Sequence, residues 1–233
     1  MPDFLYDWPA AARFGRVIPK TKFYEHGRVS NALRERFVGD VQRIVWAYKL
    51  ADDTLNLPST VAVPEIQVFQ LEAKSDDVDD SVLAAIDGAV KTPVLFEVSR
   101  HASDGRRQVR LAAAPKQTAK ASKQRGYSTT SWQLADTARR TLPAAVDLGS
   151  LYVAILESLS GLAARPGEAV SEVADRLATA RKLQREIEAL QRKLRTEPQF
   201  NRKVELRRSL TIKRNLLADL TSPTISPASG AKY

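Results

Sequence analysis

Glu65–Lys74 (EIQVFQLEAK), Asp76–Val90 (DDVDDSVLAAIDGAV), Pro93–Ser99 (PVLFEVS) and Arg107–Ala113 (RQVRLAA) follow one another in mid-chain and together set the architecture. The first run is dense in β-branched and aromatic residues, which suit a pleated, half-buried surface, so it is expected to be a strand. The second opens on Asp76, Asp77, Asp79 and Asp80 and then places Val82, Leu83, Ile86 and Val90 at helical spacing. Carboxylates favour the positive end of a helix dipole, so a short helix is expected here. PVLFEVS reads as a second strand, Asp104-Gly105 as a turn, and RQVRLAA as a third strand in which Val109 and Leu111 alternate with Gln108 and Arg110. Strand, helix, strand, strand describes an α+β fold, a small mixed β-sheet with packed helices.

Working towards the N-terminus, Ser30 offers a hydroxyl to the free amides of a helix, and Leu33, Phe37, Val41, Ile44, Val45 and Tyr48 recur at spacings of three and four. One amphipathic helix is therefore expected over about 30–50, with Trp46 and Tyr48 packing in the core. Met1–Lys22, rich in Pro, Gly and aromatics without a period, reads as an irregular arm laid on the body.

Towards the C-terminus, residues 115–128 form a basic, Gly-containing loop with Lys116, Lys120, Lys123 and Arg125 and no acid. Tyr127–Leu134 is expected to be an edge strand. Pro143 opens a helix whose Leu148, Leu151, Tyr152, Ile155, Leu156, Leu159 and Leu162 can dock on the sheet. Gly161–Gly167 punctuates the chain, so a globular domain is placed at 1–164. Beyond it Val170, Val173, Leu177, Ala180, Leu183, Ile187, Leu190 and Leu194 form a near-heptad seam with one three-residue step, a stammer. Pro198 stops that helix, since it has no amide hydrogen to donate. A second helix carries Phe200, Val204, Leu206, Leu210, Leu217 and Leu220. So short a turn makes the pair antiparallel, giving a coiled-coil hairpin over 165–220 about 35–40 Å long at 1.5 Å per residue. The Ser/Pro/Gly-rich 221–233 is expected to be a disordered tail.

Composition narrows the chemistry. The 233 residues include no Cys and only two His, His26 and His101, so disulfides, thiolate metal sites and cysteine nucleophiles are excluded, and no HExxH-type spacing exists. Glycines show neither GxGxxG nor GxxxxGK[ST] spacing, and no nucleophile-elbow motif occurs. No window reaches the roughly 18 apolar residues that span a bilayer, and Met1–Asp7 lacks a leader pattern, so the chain is expected to be cytoplasmic, with no membrane partner. The net charge of +9 points to a polyanionic or acidic partner. That charge is uneven: 21 Lys/Arg face 19 Asp/Glu over 1–164, whereas 14 face 8 over 165–220.

Several motifs carry a resemblance. Ile18–Glu25 (IPKTKFYE), Ile44–Leu50 (IVWAYKL), Thr54–Pro58 (TLNLP), Glu65–Phe69 (EIQVF), Ala85-Ile86-Asp87 and Gln199–Leu206 (QFNRKVEL) resemble a bacterial domain family of unknown function over most of 17–220. The resemblance implies a setting: such proteins are typically encoded near DNA methyltransferases and helicases of restriction-like, phage-defence loci. It implies no catalytic residues.

Two classes of chemistry compete. Glu72-Ala73-Lys74, an acid-x-Lys triplet at a strand end, matches the needs of a Mg²⁺-dependent restriction-type nuclease, in which carboxylates hold the hard cation and a lysine steadies developing charge. Glu65 is the candidate second carboxylate, but two-residue alternation turns it to the other face, so a bulge or one of Asp76, Asp77, Asp79 and Asp80 would have to supply the partner. The competing class is binding. Arg13, Arg16, Lys20 and Lys22 beside Phe14 and Phe23 form a cationic arm, and Arg192, Lys193, Arg195, Arg202, Lys203, Arg207 and Arg208 crowd the hairpin tip. These surfaces, with the loop lysines, suit DNA phosphates or an acidic protein face. The leading expectation is a non-catalytic accessory subunit that uses no cofactor and docks a helicase or methyltransferase subunit, with DNA contact and self-association through the hairpin as further options. Mg²⁺ enters only under the nuclease reading, and a stand-alone DNA-binding module is the third reading.

Overall fold

The computed structural model describes residues 1–25, 29–116, 126–165 and 167–222. Ala10–Ala12 forms a single 3-10 turn and leads into Arg13–Val17 (β1), Thr21–Glu25 (α1), Asn31–Asp40 (α2), Val41–Leu50 (β2) and Asp52–Leu55 (α3). Ile66–Ala73 (β3), Asp80–Ala89 (α4), Val94–His101 (β4) and Arg107–Ala113 (β5) follow. The chain then gives Ser128–Thr129 (β6), Gln133–Leu134 (β7), Leu148–Ser160 (α5), Val170–Thr196 (α6) and Phe200–Thr221 (α7). The expected edge strand over 127–134 is thus two short strands. They join a seven-stranded sheet of order β1-β2-β3-β4-β5-β6, with β7 also on β5. Among the sheet strands of the described residues only β3 and β4 run parallel, and α4 makes the crossover between them.

Residues 30–50 correct the expectation of one helix. The Leu33 amide does donate to the Ser30 hydroxyl at 3.2 Å, yet the helix stops at Asp40 and Val41–Leu50 is a strand paired with β3. The register slips between Val41 and Arg43 and again between Trp46 and Tyr48. Bulges of this kind break strict alternation. Buried positions consequently fall at Val41, Ile44, Ala47 and Leu50, every third residue, which imitates a helical stripe. The β-branched Val41, Ile44 and Val45 and the aromatic Trp46 and Tyr48 are strand formers, and their pairing with β3 overrides the apparent period.

The arm also differs from the expectation of an irregular segment. Arg13–Val17 adds a strand to the sheet edge, with Gly15 at φ 72° where the register shifts, a left-handed conformation that side chains resist. Upstream, Leu5 and Tyr6 are fully buried, and the Asp7 amide donates to the Arg140 carbonyl at 2.8 Å.

Each face of the sheet has its own core. On one, Leu148, Leu151, Tyr152, Ile155 and Leu156 of α5 pack on Ile66, Val68, Leu95 and Leu111. On the other, Phe37 of α2 and Val82, Leu83 and Ile86 of α4 cover Phe69, Leu71, Phe96 and Val98. Burying each such side chain stabilises the fold by about 1.5–3 kcal/mol.

Helices α6 and α7 pack against each other as a hairpin, and the 27 residues of α6 make it about 40 Å long. The seam on α7 is Lys203, Leu206, Leu210, Lys213, Leu217 and Leu220, a 3-4-3-4-3 pattern of half-buried or buried positions. Phe200 and Val204, expected in that seam, point to solvent. Two lysines take their place because a long aliphatic stem can lie in the seam while the ammonium reaches out; Lys213 Nζ meets Glu186 Oε2 at 2.5 Å. At the base, Val173 and Leu177 of α6 share the α5 core, so the hairpin is continuous with the body across the boundary expected near 164. Arg176 clamps that junction. It is 5% exposed, donates to Glu157 Oε1 at 2.8 Å and Glu168 Oε1 at 2.9 Å, and reaches the Ala163 carbonyl at 3.1 Å. Among the described residues no helix is long and apolar enough to cross a membrane.

Candidate functional site

Glu65, Glu72 and Lys74 are not brought together. Glu65 and Glu72 stand at opposite ends of β3, about 23 Å apart at 3.3 Å per residue. Glu65 is engaged where it stands, 2.9 Å from Lys49 Nζ and accepting from Gln67 Nε2 at 2.7 Å. Lys74 Nζ donates to the Val38 carbonyl at 2.6 Å, and Lys20 Nζ donates to the Val41 carbonyl. Both lysines thereby satisfy carbonyls at the end of α2, where the helix dipole favours cations. Burial, reinforced by the Lys74 charge, holds the Lys20 ammonium below the usual lysine range.

Two of the acids after β3, Asp77 and Asp79, have structural partners as well. Asp77 Oδ1 accepts from Arg110 at 2.7 Å, and Asp79 caps α4 by accepting from the Ser81 amide at 2.8 Å while pairing with Arg36. Among the described residues no three acidic or His side chains converge as metal ligands. Lys116 turns inward: its Nζ donates to Asp87 Oδ1 at 2.9 Å and to the Asp87 and Val90 carbonyls at the end of α4. Lys120, Lys123 and Arg125, and residues 223–233 of the expected tail, lie outside the described residues.

The hairpin carries a dense set of outward cations. Arg192, Lys193, Arg195, Arg202, Arg207 and Arg208 are exposed, while Lys203 is half-buried in the seam. The two sides differ in charge. A groove of about 760 Å³ between α6 and α7 is lined by Arg192, Arg195, Arg207 and Arg214 with Glu188 as its single acid. The opposite groove, about 450 Å³, balances Lys193 and Arg202 against Glu197 and Glu205. One face of the rod therefore presents a run of guanidiniums suited to phosphate oxygens, and the other is neutral. Sequence reasoning missed Arg214; seven residues beyond Arg207, it falls two turns further along the same helix face, the signal that would have found it.

On the body, Arg13 and Arg16 lie exposed on β1, and Lys22 lies exposed on α1. Arg13 joins residues that the sequence did not single out. A pocket of about 340 Å³ opens on the α5 side of the sheet, where Gln70 and Glu72 continue the face begun by Ile66 and Val68. It is lined by Arg13 of β1, Arg43 of β2, Gln70 and Glu72 of β3, Ser99 of β4 and Arg107 of β5. Arg43 stands directly across from Glu72 in the β2–β3 register, and Arg107 donates to the Ser99 hydroxyl at 3.3 Å. Reading 41–50 as a strand would have put Arg43 beside Glu72.

A mixed sheet covered by helices on both faces and extended by a basic helical hairpin defines the class of protein: a mixed α/β body that projects an antiparallel helical arm. The chain belongs to the family described as Domain of unknown function (DUF4391), whose pattern it matches over residues 6–216. No curated protein and no solved structure matches it.

Proposed function

We propose that this protein is a non-catalytic accessory subunit of a bacterial DNA-targeting defence or restriction-like assembly. In this reading the hairpin docks a helicase or methyltransferase partner, and the basic surfaces contact DNA. The observation that carries it is the one-sided groove of Arg192, Arg195, Arg207 and Arg214 on a rod joined firmly to the body through Arg176. The motif resemblance supports the setting. A native-lysate pull-down comparing wild type with Arg192→Gln/Arg195→Gln/Arg207→Gln tests it. A helicase or methyltransferase recovered by wild type and lost by the variant is expected; identical recovery by both would contradict the docking role.

One observation favours the Mg²⁺-dependent nuclease as a second reading: Glu72 lies in the wall of an arginine-lined pocket where a phosphodiester could sit. Against it, Glu65, Asp77 and Asp79 are paired elsewhere and Lys74 secures α2. Plasmid incubated with Mg²⁺ or Mn²⁺ decides: cleavage by wild type and not by Glu72→Ala would establish the nuclease, and equal outcomes would remove it.

A further inference from the structure

The pocket on the sheet has no part in hairpin docking, and its construction differs from that of the open groove. We propose that it is a phosphate-binding site, taking a phosphate monoester carried either at the end of a nucleic-acid strand or on a free nucleotide.

Three guanidiniums reach it from three strands, β1, β2 and β5, against a single lining carboxylate, Glu72. Such convergence in one small concavity stores positive charge at a fixed place, and forked N–H donors match the three terminal oxygens of a monoester. Among the described residues Arg13 and Arg43 have no hydrogen-bonded or ion-paired side-chain partner, so their donors remain available. Arg107 is steadied by Ser99, which is itself buried at 5% exposure.

The nearest internal acid does not oppose an anion. Glu97, on the same sheet face as Gln70 and Ser99, is gripped by Arg139, which donates to Oε1 at 2.9 Å and to Oε2 at 3.1 Å. Trp8 Nε1 donates to Oε2 at 2.7 Å as well. Its charge is thus answered from beneath, and the pocket keeps its cationic excess. A volume of about 340 Å³ holds a phosphate together with its sugar, and the Glu72 carboxylate and Gln70 amide offer acceptors for sugar hydroxyls. Gly15, without a side chain, leaves the β1 rim clear.

The test uses the full chain, inorganic phosphate, adenosine monophosphate, and a fluorescent single-stranded oligonucleotide bearing either a terminal phosphate or a terminal hydroxyl. Arg43→Gln and Arg107→Gln, both exposed positions, are compared with wild type and with Arg207→Gln on the hairpin. A preference of about tenfold for the phosphorylated over the hydroxyl strand, lost in both pocket variants but unchanged as a ratio in Arg207→Gln, whose weaker binding affects both strands alike, would establish the site with a strand end as its source. Equal binding of the two strands, with phosphate or the nucleotide raising the melting temperature of wild type but not of the pocket variants, would establish it for a free phosphate ester. No phosphate-dependent difference in either assay, or loss of the terminal-phosphate preference in Arg207→Gln as well as in the pocket variants, would overturn it. Because the hairpin control is scored separately, failure of the docking reading would leave this result standing.

Discussion

Replacing Arg176 with alanine removes the one cation that holds two buried carboxylates at the junction of hairpin and body. Glu157 and Glu168 have side chains only 6% and 9% exposed in their pairs with Arg176. The guanidinium also reaches the carbonyls of Ala163 at 3.1 Å and Leu220 at 3.4 Å, so it ties α5, the connecting loop and the end of α7 together. Deleting one partner of a buried ionic cluster costs about 3–5 kcal/mol, because uncompensated charge stays buried. For a chain of this size each kcal/mol shifts the melting temperature by about 2–4 °C, so thermal unfolding followed by circular dichroism should fall by about 6–20 °C. The loss should depend on pH. Burial already pushes the Glu157 carboxyl above the usual carboxylate range, with Arg176 acting in the opposite sense, so removing the arginine raises it further. A carboxyl whose folded value exceeds its unfolded value contributes stability that is present below the unfolded value and is lost as pH rises through the folded one. The deficit of Arg176→Ala should therefore be smallest near pH 4–5 and grow towards pH 7, and adding Glu157→Gln should recover part of it at neutral pH. A melting shift below about 2 °C, or a deficit that is flat or larger in acid, would show that Arg176 does not clamp the junction.

Other expectations follow from the same contacts. Leu156→Ala, at a fully buried position on the sheet-facing side of α5, should cost about 2–5 kcal/mol in chemical unfolding. Lys116→Met should destabilise by about 1–3 kcal/mol, read as a lower urea midpoint, because it takes the ammonium away from the Asp87 carboxylate, 3% exposed in its pair with Lys116, and from the Asp87 and Val90 carbonyls. Amide exchange should be slow over Val45, Trp46 and Tyr48 and should show strand pairing across to β3 in place of helical connectivities; a continuous helix over 30–50 would contradict the β2–β3 register.

The central strands were legible because β-branched runs bounded by turns have few alternatives: β3, β4 and β5 fall within two residues of the sequence expectation. The hairpin was equally plain, since Pro198 separates two long apolar repeats. What misled was local. Two bulges in β2 convert alternation into a three-residue period, and a strand thereby took on a helical appearance. That slip also hid the pocket, since Arg43 has meaning only once β2 is laid against Glu72 of β3. Charge alone overstated Lys20 and Lys116, whose ammonium groups finish helix ends, and nothing in a one-dimensional pattern distinguishes a lysine that caps carbonyls from one that waits for a partner. Part of the α7 seam was misplaced, with Phe200 and Val204 expected in it, because Lys203 and Lys213 fill positions normally taken by apolar side chains.

In the proposed function the basic surfaces contact DNA while the hairpin docks its partner, and the arginine groove of the hairpin is one of those surfaces. The most direct test of that contact is fluorescence anisotropy with duplex DNA between about 50 and 200 mM salt, comparing wild type with the quadruple variant Arg192→Gln/Arg195→Gln/Arg207→Gln/Arg214→Gln. The logarithm of wild-type affinity should fall linearly with the logarithm of salt concentration, by about 0.9 per phosphate contacted, and the variant should bind more weakly with a shallower slope. A wild-type affinity indifferent to salt, or a variant that matches wild type in both affinity and slope, would contradict that contact.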